Sequence, residues 1–579
     1  MTEARALPIA AEHREFRVKV NGSELGREHQ LLSVSVAAQA NRVAWARLAY
    51  LDGAASRGDF ALSGSDLFKP GATVEISAGA GRDSELVFHG LVVRHALKVR
   101  DRSAPQLVVE CRHPAGRMAL ARKSACFFDQ ADQAVIEKLL GDAGIDAQVD
   151  GTPFTHAQLV QYNVSDWDFM ACRARAVGHL VLTRGKQVVV KPPALQGESV
   201  CTLNFGATLL ELDAQIDARD QSGAVQALSW DAADQAVQPL DAATPALAAP
   251  GNLREADLAG AAGAPRRELR HAAMPTDEAQ AWADATRLRA RLNQASGRAK
   301  CEGVATVQPG DVVTLAGLGA RFNGQVFVSG VRHEFDLVQG WKTHLQFGGV
   351  DEGSERWTEA IARPAGGVLP PVHGLQIGVV TSNEDPDGED RVRVRMPLVA
   401  GDDGVWARVA SLDAGSGRGF FFRPEIGDEV VIGFLDDDPR RAVLLGMLHS
   451  SAKPAPLKGS DDNHQKLYQS RSGLRLQFDD EKKILSLQTP AGNRLALDDD
   501  ARAIRLADQH GNVIQLDADG ITLQSAKALM LKAAGEAACQ SGTSFNVKAG
   551  SDLALEGSAS SELSSPVTTT IKGGLVKIN

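Results

Sequence analysis

Residues Ile521–Asn579 read ITLQSAKALMLKAAGEAACQSGTSFNVKAGSDLALEGSASSELSSPVTTTIKGGLVKIN. Leu523, Leu531, Cys539, Val547, Leu555, Leu563 and Ile571 stand eight residues apart without a slip. Two positions ahead of each stand Ile521, Leu529, Ala537, Phe545, Leu553, Ser561 and Thr569. A comb of breakers, Gly542, Gly550, Ser558, Pro566 and Gly574, keeps the same step. Each octad therefore reads as a short strand with one inward face, followed by a corner. At ~3.3 Å per residue an octad spans roughly 26 Å, one side of a coil. If one chain made all three sides of a triangle, these octads would stack little more than two coils, and repeat stacks need about three. Three chains supplying one side each would close every layer and leave no bare strand edge. The expectation is a triple-stranded, trimeric β-helix or prism over 456–579, with the seven eight-spaced residues as its core. Its upper part reads as irregular, because Leu476, Leu487, Leu497, Leu506 and Leu516 are spaced 9 to 11 apart.

Upstream of the needle the chain reads as β throughout. Ser450-Ser-Ala-Lys-Pro-Ala-Pro456 marks a boundary, and Arg363-Pro-Ala-Gly-Gly367 with Pro370-Pro371 marks another. Between them, residues 366–455 hold five or six short strands, the pattern of a small barrel of the OB type. Residues 1–365 form a hub of two related β-barrel modules, 12–120 and about 200–350, with an α/β insertion at 121–195 and a loop at 231–265. The relation rests on two echoes in the same order. Gln308-Pro-Gly-Asp-Val-Val313 repeats Lys69-Pro-Gly-Ala-Thr-Val74, and Phe322-Asn-Gly-Gln-Val326 repeats Phe88-His-Gly-Leu-Val92. In the insertion, Asp129 is expected to cap one helix. Ser165 is expected to start another, with Trp167 and Phe169 as core anchors. The 231–265 stretch is rich in Ala, Pro, Asp and Gly and reads as linker.

Composition narrows the function. The chain has 579 residues, 44% hydrophobic and 23% charged, which is globular. A net charge of −10 and a pI near 5.8 leave no basic surplus for neutralising phosphates, so no nucleic acid is expected as a partner. Six scattered cysteines without a CxxC pair read as reduced core thiols. No apolar run is long enough to span a bilayer, and the first residues lack the pattern of a secretory signal. The expectation is synthesis in the cytoplasm and no stable membrane insertion.

Motifs for catalysis or cofactors are weak. Gly415-Ser-Gly-Arg-Gly419 lacks the Lys-Ser/Thr of a phosphate loop, and Asn383–Asp390 lacks the closing Glu of a calcium loop. His333-Glu334 has no second His at metalloprotease spacing, and no GxSxG elbow occurs. His464 and His510 flank the upper needle, where three copies would gather three imidazoles; singly each reads as a surface side chain. No catalytic, cofactor or metal residues are assigned, and no enzyme is expected.

The pieces in this order resemble the VgrG-like spike proteins of contractile injection systems, relatives of the fused hub and spike of contractile phage tails. The resemblance is carried by Ser165-Asp-Trp-Asp-Phe169, Phe322-Asn-Gly324 with Val331-Arg-His-Glu334, Arg423-Pro-Glu-Ile-Gly-Asp-Glu-Val430 with Phe434-Leu-Asp-Asp-Asp-Pro439, and the terminal Ile571–Asn579. It implies a homotrimer whose doubled barrels meet a hexameric inner tube and baseplate proteins. It also implies a PAAR-type tip protein on the blunt end, and effector cargo. By that resemblance Ile571, Lys572, Gly573, Gly574, Leu575, Val576, Lys577, Ile578 and Asn579 would form the seat of the tip protein. Arg391-Val-Arg-Val-Arg-Met-Pro397 leads almost directly to Gly404-Val-Trp406, without the longer segment of many type VI members. That leans toward an extracellular, phage-tail-like injection particle. The alternatives are a type VI or phage hub-spike, and an envelope-degrading β-helical hydrolase or lyase. No fused effector domain follows the needle in this sequence.

Overall fold

The turn at Lys69-Pro70-Gly71-Ala72 sets the pattern of the hub. In the computed structural model all residues are described except 1–13, 27, 81–82, 194–196, 232–233, 235, 247–249, 272–273, 351–370, 399–403 and 579. The first module consists of β1 (Arg14–Val20), β2 (Leu31–Gln39), β3 (Trp45–Leu51), β4 (Thr73–Ala80), β5 (Asp83–Arg100) and β6 (Ser103–Arg112). Strand alternation places Val34, Val36, Leu48, Val74, Ile76, Phe88, Leu107 and Val109 in one buried core. Pro70 fixes its own φ, Gly71 takes φ +97°, and the Ala72 N–H donates to the Lys69 carbonyl at 2.9 Å. This is a type II turn, which requires the positive φ that glycine supplies.

The second module consists of β7 (Thr202–Asn204), β8 (Leu209–Ile216), β9 (Ala295–Glu302), β10 (Val312–Ala316), β11 (Gly324–Asp336) and β12 (Gly340–Phe347). Its core gathers Leu203, Ala299, Val313, Leu315, Val328, Val331, Leu345 and Phe347. Gly310 takes φ +96° and the Asp311 N–H donates to the Gln308 carbonyl at 3.2 Å, so the same turn recurs. Each turn then clasps the long strand beside it. Gly71 N–H donates to Val92 O at 2.8 Å, and Val92 N–H to Ala72 O at 2.9 Å. Gly310 N–H donates to Val328 O at 2.8 Å, and Val328 N–H to Asp311 O at 2.8 Å. Strand order β4-β5-β6-β3-β2 is repeated as β10-β11-β12-β9-β8. One detail of the sequence reading is corrected. These hydrogen bonds align Val92 with Val328, two residues beyond the Val326 that the second echo suggested. The modules are also not separate sheets: β2 pairs antiparallel with β11, Val36 opposite His333, so two cores lie on one 13-stranded sheet.

The insertion has its own core, built by Ile136, Leu140, Trp167, Phe169 and Met170. Helix α1 (Asp132–Asp142) starts later than expected; Asp129 lies in the preceding strand at φ +52°. Helix α2 (Asp166–Ala176) is capped by Ser165, whose hydroxyl accepts from Asp168 N–H at 3.1 Å. Arg173 clamps the fully buried Asp132 with two hydrogen bonds of 2.7 and 3.0 Å. It also reaches Glu278, on a later helix, at 3.2 Å.

The reading of 231–265 as a loop is overturned. Ala236–Asp241 is a strand paired with Val225–Asp231, and α3 (Glu255–Ala262) follows. Alanine-rich text serves a linker and a helix equally. Here the Asp257 carboxylate accepts from Arg254 N–H at 2.9 Å, and Gly263 ends the helix at φ +66°. Pro239 is tolerated because its strand lies at a sheet edge. Helix α4 (Thr276–Leu292), acidic first and basic last, packs its alanines against this sheet.

The collar is a closed five-stranded barrel of Gln376–Ser382, Arg391–Arg395, Val405–Val409, Glu429–Phe434 and Ala442–Met447. Val380, Val392, Val394, Val430, Ile432 and Leu444 fill it. Arg363–Gly367 and Pro370, taken as the boundary before it, lie outside the described residues.

Candidate assembly surfaces of the needle and collar

The upper needle is regular, contrary to the sequence reading. Seven five-residue strands form one antiparallel meander: Gln465–Gln469, Arg475–Asp479, Ile484–Gln488, Arg494–Asp498, Ala503–Ala507, Val513–Asp517 and Gly520–Gln524. The uneven leucine spacing comes from antiparallel turns, which vary in length without disturbing the ladder. Register places Tyr468, Leu476, Leu487, Leu495, Leu506, Ile514 and Leu523 in one cross-strand column. A second column on the same face holds Phe478, Leu485, Leu497, Ile504, Leu516 and Ile521. The opposite face carries Gln477, Ser486, Ala496, Arg505, Gln515 and Thr522.

The apolar face is uncovered within one chain. Leu497 is 41% exposed, Leu506 49% and Leu523 50%. Contiguous exposure on this scale marks an interaction surface. From Ser525 to Ile578 no strand is formed within the chain, and the octad residues stand open: Leu531, Cys539, Val547, Leu555, Leu563 and Ile571 are all exposed. The octads thus read from sequence as strands find no partner in their own chain. The proposed tip seat, Ile571–Ile578, is likewise exposed; Asn579 lies outside the described residues.

Collar and needle meet at an aromatic junction. Phe422 stands edge-on to Tyr468 at 4.8 Å between ring centroids, and Phe420 lies 6.0 Å from Phe422. Arg471 bridges to Glu425 at 2.9 Å. The acidic stretch 383–390 is closed on itself. Asp385 accepts from Arg391 Nη2 at 2.7 Å and from the N–H groups of Asp387, Glu389 and Arg391. The Arg391 guanidinium holds the Asp385 carboxyl far below the usual carboxylate range. Gly415–Gly419 is a two-stranded hairpin, not a phosphate cradle. His333 is buried, with Nδ1 3.1 Å from Thr343 Oγ1, and burial pushes its pKa down to about 4. Among the described residues, no group of three or more His, Cys, Asp or Glu is arranged to hold a metal. Of the cysteines, only Cys111 and Cys301 are core thiols; Cys126, Cys172 and Cys539 are exposed and Cys201 is half-buried.

Comparison with known proteins follows this division. A model described as the type VI secretion system/phage-baseplate injector OB domain matches residues 376–449, the closed barrel. One described as the phage baseplate V C-terminal trimerisation domain matches 483–559, most of the apolar ladder and the first octads. Barrel, ladder and octads together define a VgrG-like spike of the phage-baseplate class. The chain belongs to the family described as the Alg8 N-terminal domain, whose model spans residues 10–336 and thus more than half of it.

Among curated relatives, the type VI secretion system spike protein VgrG4b of Pseudomonas aeruginosa is 35% identical over 115 residues, covering 18% of this chain and 14% of that protein. VgrG5 of the same organism is 29% identical over 149 residues, covering 24% and 18%. The chain therefore matches less than a fifth of either relative's length. Among solved structures, the 43 kDa tail protein of prophage MuSo2 from Shewanella oneidensis aligns with TM-score 0.45 at 12% identity, covering 58% of this chain and 98% of that one. An Escherichia coli type VI secretion component aligns with TM-score 0.38 at 15% identity, covering 74% and 99%.

Proposed function

We propose that three copies of this chain form the central spike of a contractile injection apparatus, a non-enzymatic part that pierces target envelopes. The uncovered apolar face of the needle carries the reading. Two columns of large side chains run over seven and six strands of one sheet, and all of them but Leu476 and Leu485 are exposed. Fully burying one leucine is worth about 1.5–3 kcal/mol, and covering what remains open on eleven such side chains is still a strong drive to associate. Three such faces around an axis cover one another. The octads below then pair between chains, since among the described residues they have no partner strand in their own. A closed prism of this kind offers no edge at which peeling can start under axial load. Ile571–Asn579 form the blunt end and the seat for a PAAR-type tip protein. The hub meets inner tube and baseplate proteins, and effector cargo travels with the needle.

Two settings fit. The short connection between Arg391–Arg395 and Val405–Val409 favours a released, phage-tail-like particle. The curated relatives favour type VI secretion. Mass spectrometry of sheathed particles purified from culture supernatant separates them. The chain recovered in released particles supports the first; the chain recovered only with cell-bound, membrane-anchored complexes supports the second. Absence from both overturns the spike reading. Removal of 571–579 is expected to abolish capture of the tip protein and leave the assembled needle intact.

A further inference from the structure

The duplicated hub carries an unused strand joint, and its register can be counted. Within one chain, β2 of the first module pairs with the second half of β11, from Gln39 opposite Gly330 to Ser33 opposite Asp336. The module equivalence fixes what corresponds to each side of this joint. On β5 and β11 the count starts at Val92 and Val328, which are clasped by the same turn. A bulge follows at the same place in both, between Val92 and Arg94 and between Val328 and Gly330. His95 opposite Val109 then corresponds to Val331 opposite Leu345. Crossing the sheet, Val109 leads to Leu48 and Val34, while Leu345 leads to Ala299 and Leu212. Val34 on β2 therefore corresponds to Leu212 on β8.

Both halves of a second joint exist in the chain, and neither is used there. The edge of β8 away from β9 is the end of the 13-stranded sheet. β5 pairs with β4 only as far as Leu91. Beyond the clasp at Val92, its second half has β6 on one side, and among the described residues no backbone hydrogen bond is formed on the other. In one chain these two edges stand far apart in the sheet order and do not pair.

We infer that β8 of one copy pairs antiparallel with the second half of β5 of the next copy, repeating between chains the β2–β11 joint within each. The register follows by substitution: Arg94 opposite Asp217, His95 opposite Ile216, Ala96 opposite Gln215, Leu97 opposite Ala214, and Lys98 opposite Asp213. The count stops at Lys98, where the β5–β6 register shifts again. The chemistry of the two edges agrees independently with this register. Both charged positions of β5 meet an acidic residue, and opposite charges directly across a ladder are favourable. Arg94 also holds Glu110, and Asp217 also holds Arg219, so each is shared; no ion pair of Lys98 or Asp213 is formed within the chain among the described residues. The core-side positions match as well. Leu97 is 45% exposed, whereas its equivalent His333, covered by β2, is buried. Ala214 and Ile216, half-buried on the β8 side, would cover Leu97 and His95. A head-to-tail joint of this kind closes into a ring or runs into a filament. The needle limits it to a ring, so intrachain and interchain joints would alternate around one axis.

The inference rests on the trimeric reading and can fail without it. The test is oxidative cross-linking of the full-length Ala96→Cys/Gln215→Cys variant, with Cys126, Cys172 and Cys539 changed to Ser. Covalent dimers and trimers in denaturing gels are expected, with none from either single cysteine. A control pair out of register, Ala96→Cys/Asp213→Cys, should give markedly less. Lys98→Glu or Asp213→Lys is expected to lower the cross-linking rate about twofold to fivefold, the scale of one cross-strand ion pair, and the two together to restore it. A chain that sediments as three copies but shows no 96–215 cross-link overturns this inference and leaves the spike reading standing. A chain that stays single overturns both.

Discussion

Gly71 and Gly310 occupy the same turn in different surroundings. A Cβ on Gly71 would meet open space, whereas one on Gly310 would lie 2.7 Å from Leu182 Cδ1 and 2.9 Å from Arg184 Nη2. Gly71→Ala should therefore cost only the left-handed penalty, about 1–2 kcal/mol. Gly310→Ala should cost more, because Arg184 must also loosen its bonds of 2.7 Å to Pro309 O and 3.0 Å to Asp311. Denaturant titration of the two variants checks the order. Arg173 gives a larger effect. Arg173→Ala leaves the buried Asp132 with His156, 3.2 Å away, as its one charged partner among the described residues, and should destabilise the hub by about 3–5 kcal/mol. Acid should act on His113 and His333, both pushed down to about 4 by burial. Each is neutral when folded but protonates near 6.5 when unfolded, so the unfolded chain binds more protons as pH falls. Stability should thus decline from about pH 6.5 to 4, and His333→Gln should flatten part of the slope of Tm against pH. None of these environments is legible in sequence; there His333-Glu334 only fails the metalloprotease spacing, and the fold shows His333 as core.

At the scale of the element, the octad was visible in the sequence as a fixed step, the one that parallel coils would need. The meander above it was not. Its strands repeat, but its turns differ in length and its leucines alternate between two columns, so they lose their step while staying on one face. The helix at Glu255–Ala262 was missed for another reason: alanine and aspartate are common to linkers and to capped helices. The two faces of the meander make opposite predictions. Leu506→Asp places a charge in the apolar column and should abolish self-association, because a buried unpaired charge costs several kcal/mol. Arg505→Asp, one residue away on the polar face, should leave it unchanged. Light scattering of the two variants at matched concentration distinguishes them.

For the whole molecule, boundaries and periodicity suggested the order hub, collar and needle, and the two Pro-Gly motifs stand at the same turn in two modules of the same strand order. The sequence could not reveal that β2 and β11 join the two modules into one sheet. Pairing between strands some 300 residues apart leaves no local trace beyond alternation. Nor could it reveal the open edges of β5 and β8. These become visible only when the pairing inside the chain is compared with the pairing its own symmetry calls for. The same incompleteness recurs at each level: a sheet with an uncovered face, octads without partners, and a hub with one joint made and one left open.

Sedimentation equilibrium of the purified full-length chain across a wide concentration range tests this most directly. A single species of three times the 61.4 kDa chain mass, persisting on dilution, is expected. A species of 61.4 kDa at all concentrations, or a stable pair, would contradict it.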